Sequence, residues 1–264
     1  MIFGKSGGFG TTIGGRRILD MATLSALDGF LIRGETANFA IGSSVATADI
    51  NNDGFDDILI SGNIHQAWVI FGSATNPATA TDGQGRKYIS ANTIGNKGFI
   101  INAWGYASSI RSAGDVNGDG IEDIVIGMSS GGQVGKAMVL YGQNGGTFGT
   151  WNGTNWIVDY ASLGNRGFLI QAPADTGLGT YVSSAGDMNG DGYDDLILGG
   201  NGGANGGGSY AGEAVIIYGF ASAMDSIIKT GTSAADFLAG SSADDNLTGG
   251  GGADVLLGYG GNDI

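Results

Sequence analysis

The 264-residue chain has no cysteine and a single histidine, His65. The first absence excludes a disulfide framework, though not export. The second leaves one residue for any histidine-dependent chemistry. No apolar run approaches 18 residues, so no helical membrane span is expected. Basic residues are scarce: 11 Lys and Arg face 25 Asp and Glu, for a net charge of −14. Nucleic acid and anionic membrane are poor partners for such a chain. Disorder is also excluded, because 42% of the residues are apolar, enough for packed sheets. The 54 glycines fit dense tight turns.

Acidic residues are concentrated in three copies of one loop, D-x-N-x-D-G-x-[DE]-D, at residues 49–57, 115–123 and 187–195. Oxygen side chains fall at loop positions 1, 3, 5 and 9. Glycine at position 6 permits a sharp turn. Hard cations take six to eight oxygens at about 2.3–2.6 Å, and such a loop supplies them. Three copies in one frame point to calcium. An EF-hand needs a glutamate at position 12 and flanking helices. Here position 12 is Ile60, Ile126 and Leu198, inside short apolar runs that read as buried strands. The loops are therefore expected as turns between strands.

The loops are landmarks of a longer repeat. Gly-Phe followed by apolar residues recurs at Gly29-Phe30, Gly98-Phe99 and Gly167-Phe168. A strand ending in aromatic-Gly recurs at Phe3-Gly4, Phe71-Gly72, Tyr141-Gly142 and Tyr218-Gly219. Each unit of roughly 70 residues then holds four short strands joined by a variable link, the strand content of a propeller blade.

Phe71-Gly72, the run Gly114 to Gly120 and Asp123-Ile124-Val125-Ile126-Gly127 resemble FG-GAP repeats, the blades of the integrin α-subunit propeller and of many bacterial secreted proteins. The resemblance covers roughly residues 1–220. It implies calcium held by Asp49, Asn51, Asp53, the Phe55 carbonyl and Asp57; by Asp115, Asn117, Asp119, the Ile121 carbonyl and Asp123; and by Asp187, Asn189, Asp191, the Tyr193 carbonyl and Asp195. The acids at position 8 (Asp56, Glu122, Asp194) are not expected to be direct ligands. Family propellers usually have seven blades, whereas three loops imply about three. The expectation is of a piece of a larger protein, or of self-association through open blade edges. Gly29 to Ile32 is the expected donor to the blade that ends at Tyr218-Gly219.

A different repeat follows. Asp236, Asp245, Asp254 and Asp263 recur at every ninth residue, and Leu238, Leu247 and Leu256 follow the first three two residues on. Residues 249–257 match G-G-x-G-x-D-x-U-x in full. This resembles the calcium-binding β-roll of RTX proteins, a family exported by bacterial type I secretion. It implies Asp245, Asp254 and Asp263 as calcium ligands. The export signal of that route would lie beyond Ile264; Met1 to Gly4 reads as a strand, not a cleavable signal. With four acids in each loop and five in the tail, 17 of the 25 acidic residues belong to these motifs.

Catalytic signals are weak. Gly127-Met128-Ser129-Ser130-Gly131 fits G-x-S-x-G, but a glycine-rich turn follows Ser129 where a nucleophile elbow needs a helix. His65 lies in the equivalent turn of the first unit and reads as a surface residue. The sequons at Asn152 and Asn246 carry little meaning in the bacterial setting that the RTX resemblance implies. Trp104, Trp151 and Trp156 read as packing between blades more than as a sugar-binding surface.

The expected protein is all-β: a partial β-propeller of about three FG-GAP-like blades (1–222) followed by the start of a parallel β-roll (223–264). Its expected role is that of a secreted calcium-binding module for adhesion, not an enzyme, with an unidentified protein or glycan ligand. The alternative is the non-catalytic part of a larger secreted enzyme.

Overall fold

The computed structural model describes residues 1–4, 10–38, 40–62, 65–129, 134–145, 147–174, 177–200, 212–220, 228–234, 237–239, 246–253 and 255–257. The described chain is all-β, with helix limited to four 3-10 turns of three residues.

A hairpin of β1 (Thr11–Ile13) and β2 (Arg16–Ile18) comes first, followed by β3 (Leu31–Arg33). The first complete unit holds β4 (Ser44–Ala48), β5 (Asp57–Ser61), β6 (Gln66–Ile70), a hairpin of β7 (Ala80–Thr81) and β8 (Lys87–Ser90), and β9 (Gly98–Asn102). The order repeats as β10 (Tyr106–Gly114), β11 (Asp123–Ser129), β12 (Val134–Leu140), the hairpin β13 (Thr150–Trp151) and β14 (Trp156–Asp159), and β15 (Gly167–Ala174). A third unit has β16 (Tyr181–Gly186), β17 (Asp195–Gly200) and β18 (Glu213–Ile217). Four short strands follow among the described residues: β19 (Ile228–Thr230), β20 (Phe237–Ala239), β21 (Asn246–Thr248) and β22 (Val255–Leu257).

Each complete unit is an antiparallel meander, β4-β5-β6-β9 in the first and β10-β11-β12-β15 in the second. The strand after each acidic loop is the most buried, as its unbroken apolar run requires. All five residues of β5 are buried, and Ile124, Val125 and Ile126 of β11 are fully so. Faces of adjacent sheets pack on one another. Phe99, Ile101, Ile124, Ile126, Met138, Leu140 and Phe148 share one cluster across the first two units, and Val125, Val139, Val182 and Leu196 share another across the second and third. Phe99 and Phe148 stack at 4.4 Å.

The link expected to be variable is a repeated structure. In each case a hairpin leaves its own unit and lies parallel on the Gly-Phe strand of the unit before: β8 on β3, and β14 on β9. The first of these makes a sheet of β3, β8 and β7; the second extends the first unit to six strands. The expected donor role of Gly29 to Ile32 meets an obstacle. Phe3 N–H donates to the Asp28 carbonyl at 2.8 Å and Phe30 N–H to the Met1 carbonyl at 3.1 Å, while β8 covers the other edge. Both edges of that segment are occupied, and Phe30 is buried.

In the nonapeptide region β19 pairs in parallel with β21, with Lys229 opposite Leu247, and β20 pairs in parallel with β22, with Leu238 opposite Leu256. Strands two nonapeptides apart are therefore stacked. Leu247 is buried against Tyr193, which ties this region to the third acidic loop.

Candidate metal centres

The three acidic loops share one construction. In the first, Asp49 accepts from the N–H groups of Asp53 (3.0 Å) and Gly54 (2.9 Å), Asn51 Oδ1 from Asp53 N–H (3.0 Å), and Asp53 Oδ1 from Phe55 N–H (2.9 Å). Asp115, Asn117 and Asp119 repeat this pattern, as do Asp187, Asn189 and Asp191. These bonds wind the backbone around the carboxylates. Position 6 sits at φ +85, +84 and +93 in the three loops, a region that favours glycine. Position 7 (Phe55, Ile121, Tyr193) thus follows directly on the turn.

Position 9 begins the next strand and is wholly buried: Asp57, Asp123 and Asp195 are each 0% exposed. Each accepts from the N–H of the aromatic-Gly glycine: Gly72 (2.8 Å), Gly142 (2.8 Å) and Gly219 (2.9 Å). In the second and third loops the other oxygen accepts from position 2, Val116 at 2.9 Å and Met188 at 2.8 Å. In the first loop Asp57 Oδ2 is buried with no hydrogen-bond partner.

Burial pushes the Asp57 carboxyl up to about 7; the Gly72 N–H opposes the rise, the Asp53 and Asp49 carboxylates add to it, and the Ile50 N–H pulls down from beyond hydrogen-bond reach. Burial likewise pushes Asp123 up to about 8, against the Gly142 and Val116 N–H groups and helped by Asp119 and Asp115. Tyr141 is raised to about 12, by burial first and then by Asp123 and Asp119. In the first two loops burial therefore disfavours the charged form of the position-9 acid.

The donor set suits a hard cation, being all oxygen, and Asp57 Oδ2 is buried without a hydrogen-bond partner. The carboxylates nevertheless stand apart: among the described residues no three acidic or histidine side chains are grouped closely enough to form a metal shell. The oxygens at positions 1, 3 and 5 are turned toward N–H groups of their own loop. Asp236, Asp245, Asp254 and Asp263 lie outside the described residues.

Two features escaped the sequence reading. The acid at position 8 reaches the preceding loop: Asp49 N–H donates to Glu122 Oε2 at 3.1 Å, and Asp115 N–H to Asp194 Oδ2 at 2.9 Å. The aromatic-Gly glycine is a support of the site, since a Cβ at Gly72, Gly142 or Gly219 would collide with the position-8 carbonyl of Asp56, Glu122 or Asp194. The recurrence of that glycine was visible; its partner was not.

The weak catalytic signals do not assemble. Ser129 lies opposite Tyr106 in the sheet and His65 stacks on that tyrosine at 5.8 Å, with no hydrogen bond between Ser129 and His65 among the described residues. Trp104 packs against the core with Lys136 over its ring at 4.3 Å; Trp151 and Trp156 meet at 5.5 Å, and Trp151 is exposed.

Comparison with known proteins matches an FG-GAP repeat to residues 41–70, which contain the first acidic loop, and an RTX calcium-binding nonapeptide repeat (4 copies) to residues 230–264. The chain is similar to integrin alpha-5 of Xenopus laevis, 31% identical over an alignment of 196 residues that covers 71% of this chain. It spans 17% of the length of that relative. The chain thus carries an FG-GAP repeat and RTX nonapeptide repeats, and RTX nonapeptide repeats bind calcium.

Proposed function

We propose that the three acidic loops each hold one calcium ion, and that the chain is a secreted calcium-binding module for adhesion to a protein or glycan rather than an enzyme. In this reading residues 1–222 are FG-GAP-like blades of a partial β-propeller, and residues 223–264 begin a parallel β-roll. The ligands are Asp49, Asn51, Asp53, the Phe55 carbonyl and Asp57, and the corresponding residues of the other two loops. A bound calcium offsets the mutual repulsion of the carboxylates clustered in each loop. Asp57, Asp123 and Asp195 anchor each site to the strand beneath it, and the glycine at position 6 lets the loop close over the ion.

The observation that carries the reading is the wholly buried acid of each loop, above all Asp57 with one oxygen unbonded. A buried carboxylate without a partner is costly. Export and adhesion rest on the RTX repeats and on the likeness to an integrin α-chain, and are proposed on that footing.

Thermal melting tests it. Binding to the native state alone stabilises by about 2.7 kcal/mol per site at a hundredfold excess over Kd. Protein in millimolar CaCl₂ is expected to melt well above protein in EGTA, with residues 1–222 contributing. A melting curve unchanged by the chelator would refute the reading.

A further inference from the structure

The two docked hairpins use one register. Leu31 and Ile32 of β3 face Tyr88 and Ile89, and Ile100 and Ile101 of β9 face the equivalent Ile157 and Val158. The docked β9 is dry: Phe99, Ile100 and Ile101 are 0%, 5% and 0% exposed. β15 carries the equivalent Phe168-Leu169-Ile170, yet among the described residues it pairs with β12 alone, and Leu169 is 42% exposed. The cause lies inside the chain. After Tyr218-Gly219 the sequence passes into the nonapeptide region, and among the described residues no such hairpin follows β18.

The hairpin that matches this edge is β1–β2. Gly10 (φ +67) would collide through a Cβ with the Ile18 carbonyl, as Gly149 (φ +76) would with that of Ile157. Asp20 accepts from Ala22 N–H at 2.9 Å, as Asp159 does from Ala161 N–H at 2.9 Å. Leu24 and Leu163 are buried at the same place in the sequence that follows. The first hairpin is therefore built like the docked one, but all six of its strand residues are exposed, including Ile13 at 60% and Ile18 at 43%.

We propose that β2 of a second copy of this chain adds in parallel to β15, with Ile18 opposite Leu169 and Leu19 opposite Ile170. An exposed edge with apolar side chains is a template for an added strand. The occupant is a second copy because the same molecule already makes this contact twice with hairpins of the same design. Among the described residues β18 pairs with β17 alone. Donor and acceptor are different segments of the chain, so the contact is head-to-tail.

The absence of native cysteine makes the test direct. Protein carrying Ile18→Cys is mixed with protein carrying Leu169→Cys in millimolar calcium and oxidised. A disulfide-linked pair, seen in the mixture and in neither variant alone, is the expected result. Light scattering of the unsubstituted chain is expected to give the mass of two chains or a multiple, and Ile18→Lys to return it to one chain with an unchanged circular dichroism spectrum. Absence of the mixed disulfide, a mass of one chain for the unsubstituted protein, or an assembly indifferent to Ile18→Lys would each overturn the proposal. A chain carrying both cysteines that closes its disulfide within itself would do the same.

Discussion

The backbone N–H of Asp115 donates to Oδ2 of Asp194 at 2.9 Å, and the Asp194 N–H donates back to the Asp115 carbonyl at 2.9 Å. The same acid-to-backbone tie joins Glu122 to Asp49. Position 8 of one loop thus fixes position 1 of the loop before it, and the three loops form a series. Further backbone bonds run alongside, from Gln143 N–H to the Ile50 carbonyl and from Phe220 N–H to the Val116 carbonyl.

Asp194→Ala leaves the partly buried Asp115 N–H without its acceptor. A lost hydrogen bond of this kind costs about 1–3 kcal/mol. The expected result is a lower urea midpoint and weaker calcium binding at the second loop, with the number of ions bound at saturation unchanged. Loss of an ion instead would make Asp194 a ligand and not a tie.

Gly142→Ala forces a Cβ onto the Glu122 carbonyl, with the Ile50 carbonyl close behind at 3.1 Å. Overpacking of this sort costs about 1–3 kcal/mol, and the Gly142 N–H would also shift away from Asp123. Both stability and calcium affinity should fall. An unchanged urea midpoint would show that the aromatic-Gly glycine is not a support of the site.

The pH dependence has a definite sign. Asp57 and Asp123 have folded-state pKa values of about 7 and about 8, above the usual 3.8. Their contribution to the stability of metal-free protein is present below about pH 4 and is lost as pH rises through 7 and 8. Melting temperature in EGTA should therefore fall across that window, and calcium should lift it most at the alkaline end. Calcium binding at pH 7 should also release protons. Titration calorimetry in buffers of different ionisation enthalpy checks this; identical heats in all buffers would count against it.

Much of the fold was legible in the sequence. The loops, the buried strands after them and the Gly-Phe and aromatic-Gly strands announce themselves, because spacing of aspartate and glycine is local and apolar runs have one meaning when they repeat. The hairpins β7–β8 and β13–β14 were not legible. β7 and β13 are two residues long, and β8 and β14 find their partners in the preceding unit, which no local pattern encodes. The role of Glu122 and Asp194 was hidden for the same reason: each acts on a loop more than seventy residues away in sequence (|i−j| of 73 and 79). Gly72, Gly142 and Gly219 were seen as strand ends, while their service to Asp57, Asp123 and Asp195 appears only when the strands are side by side.

The most direct measurement of the account is calcium stoichiometry by native mass spectrometry, comparing the unsubstituted chain with Asp119→Ala. Asp119 stands at position 5 of the middle loop, is exposed, and takes the Ile121 N–H at 2.9 Å. Its removal is predicted to lower the number of bound calcium ions by one, leaving the loops of Asp49 and Asp187 loaded. A variant that binds as many ions as the unsubstituted chain would contradict the assignment of calcium to these loops.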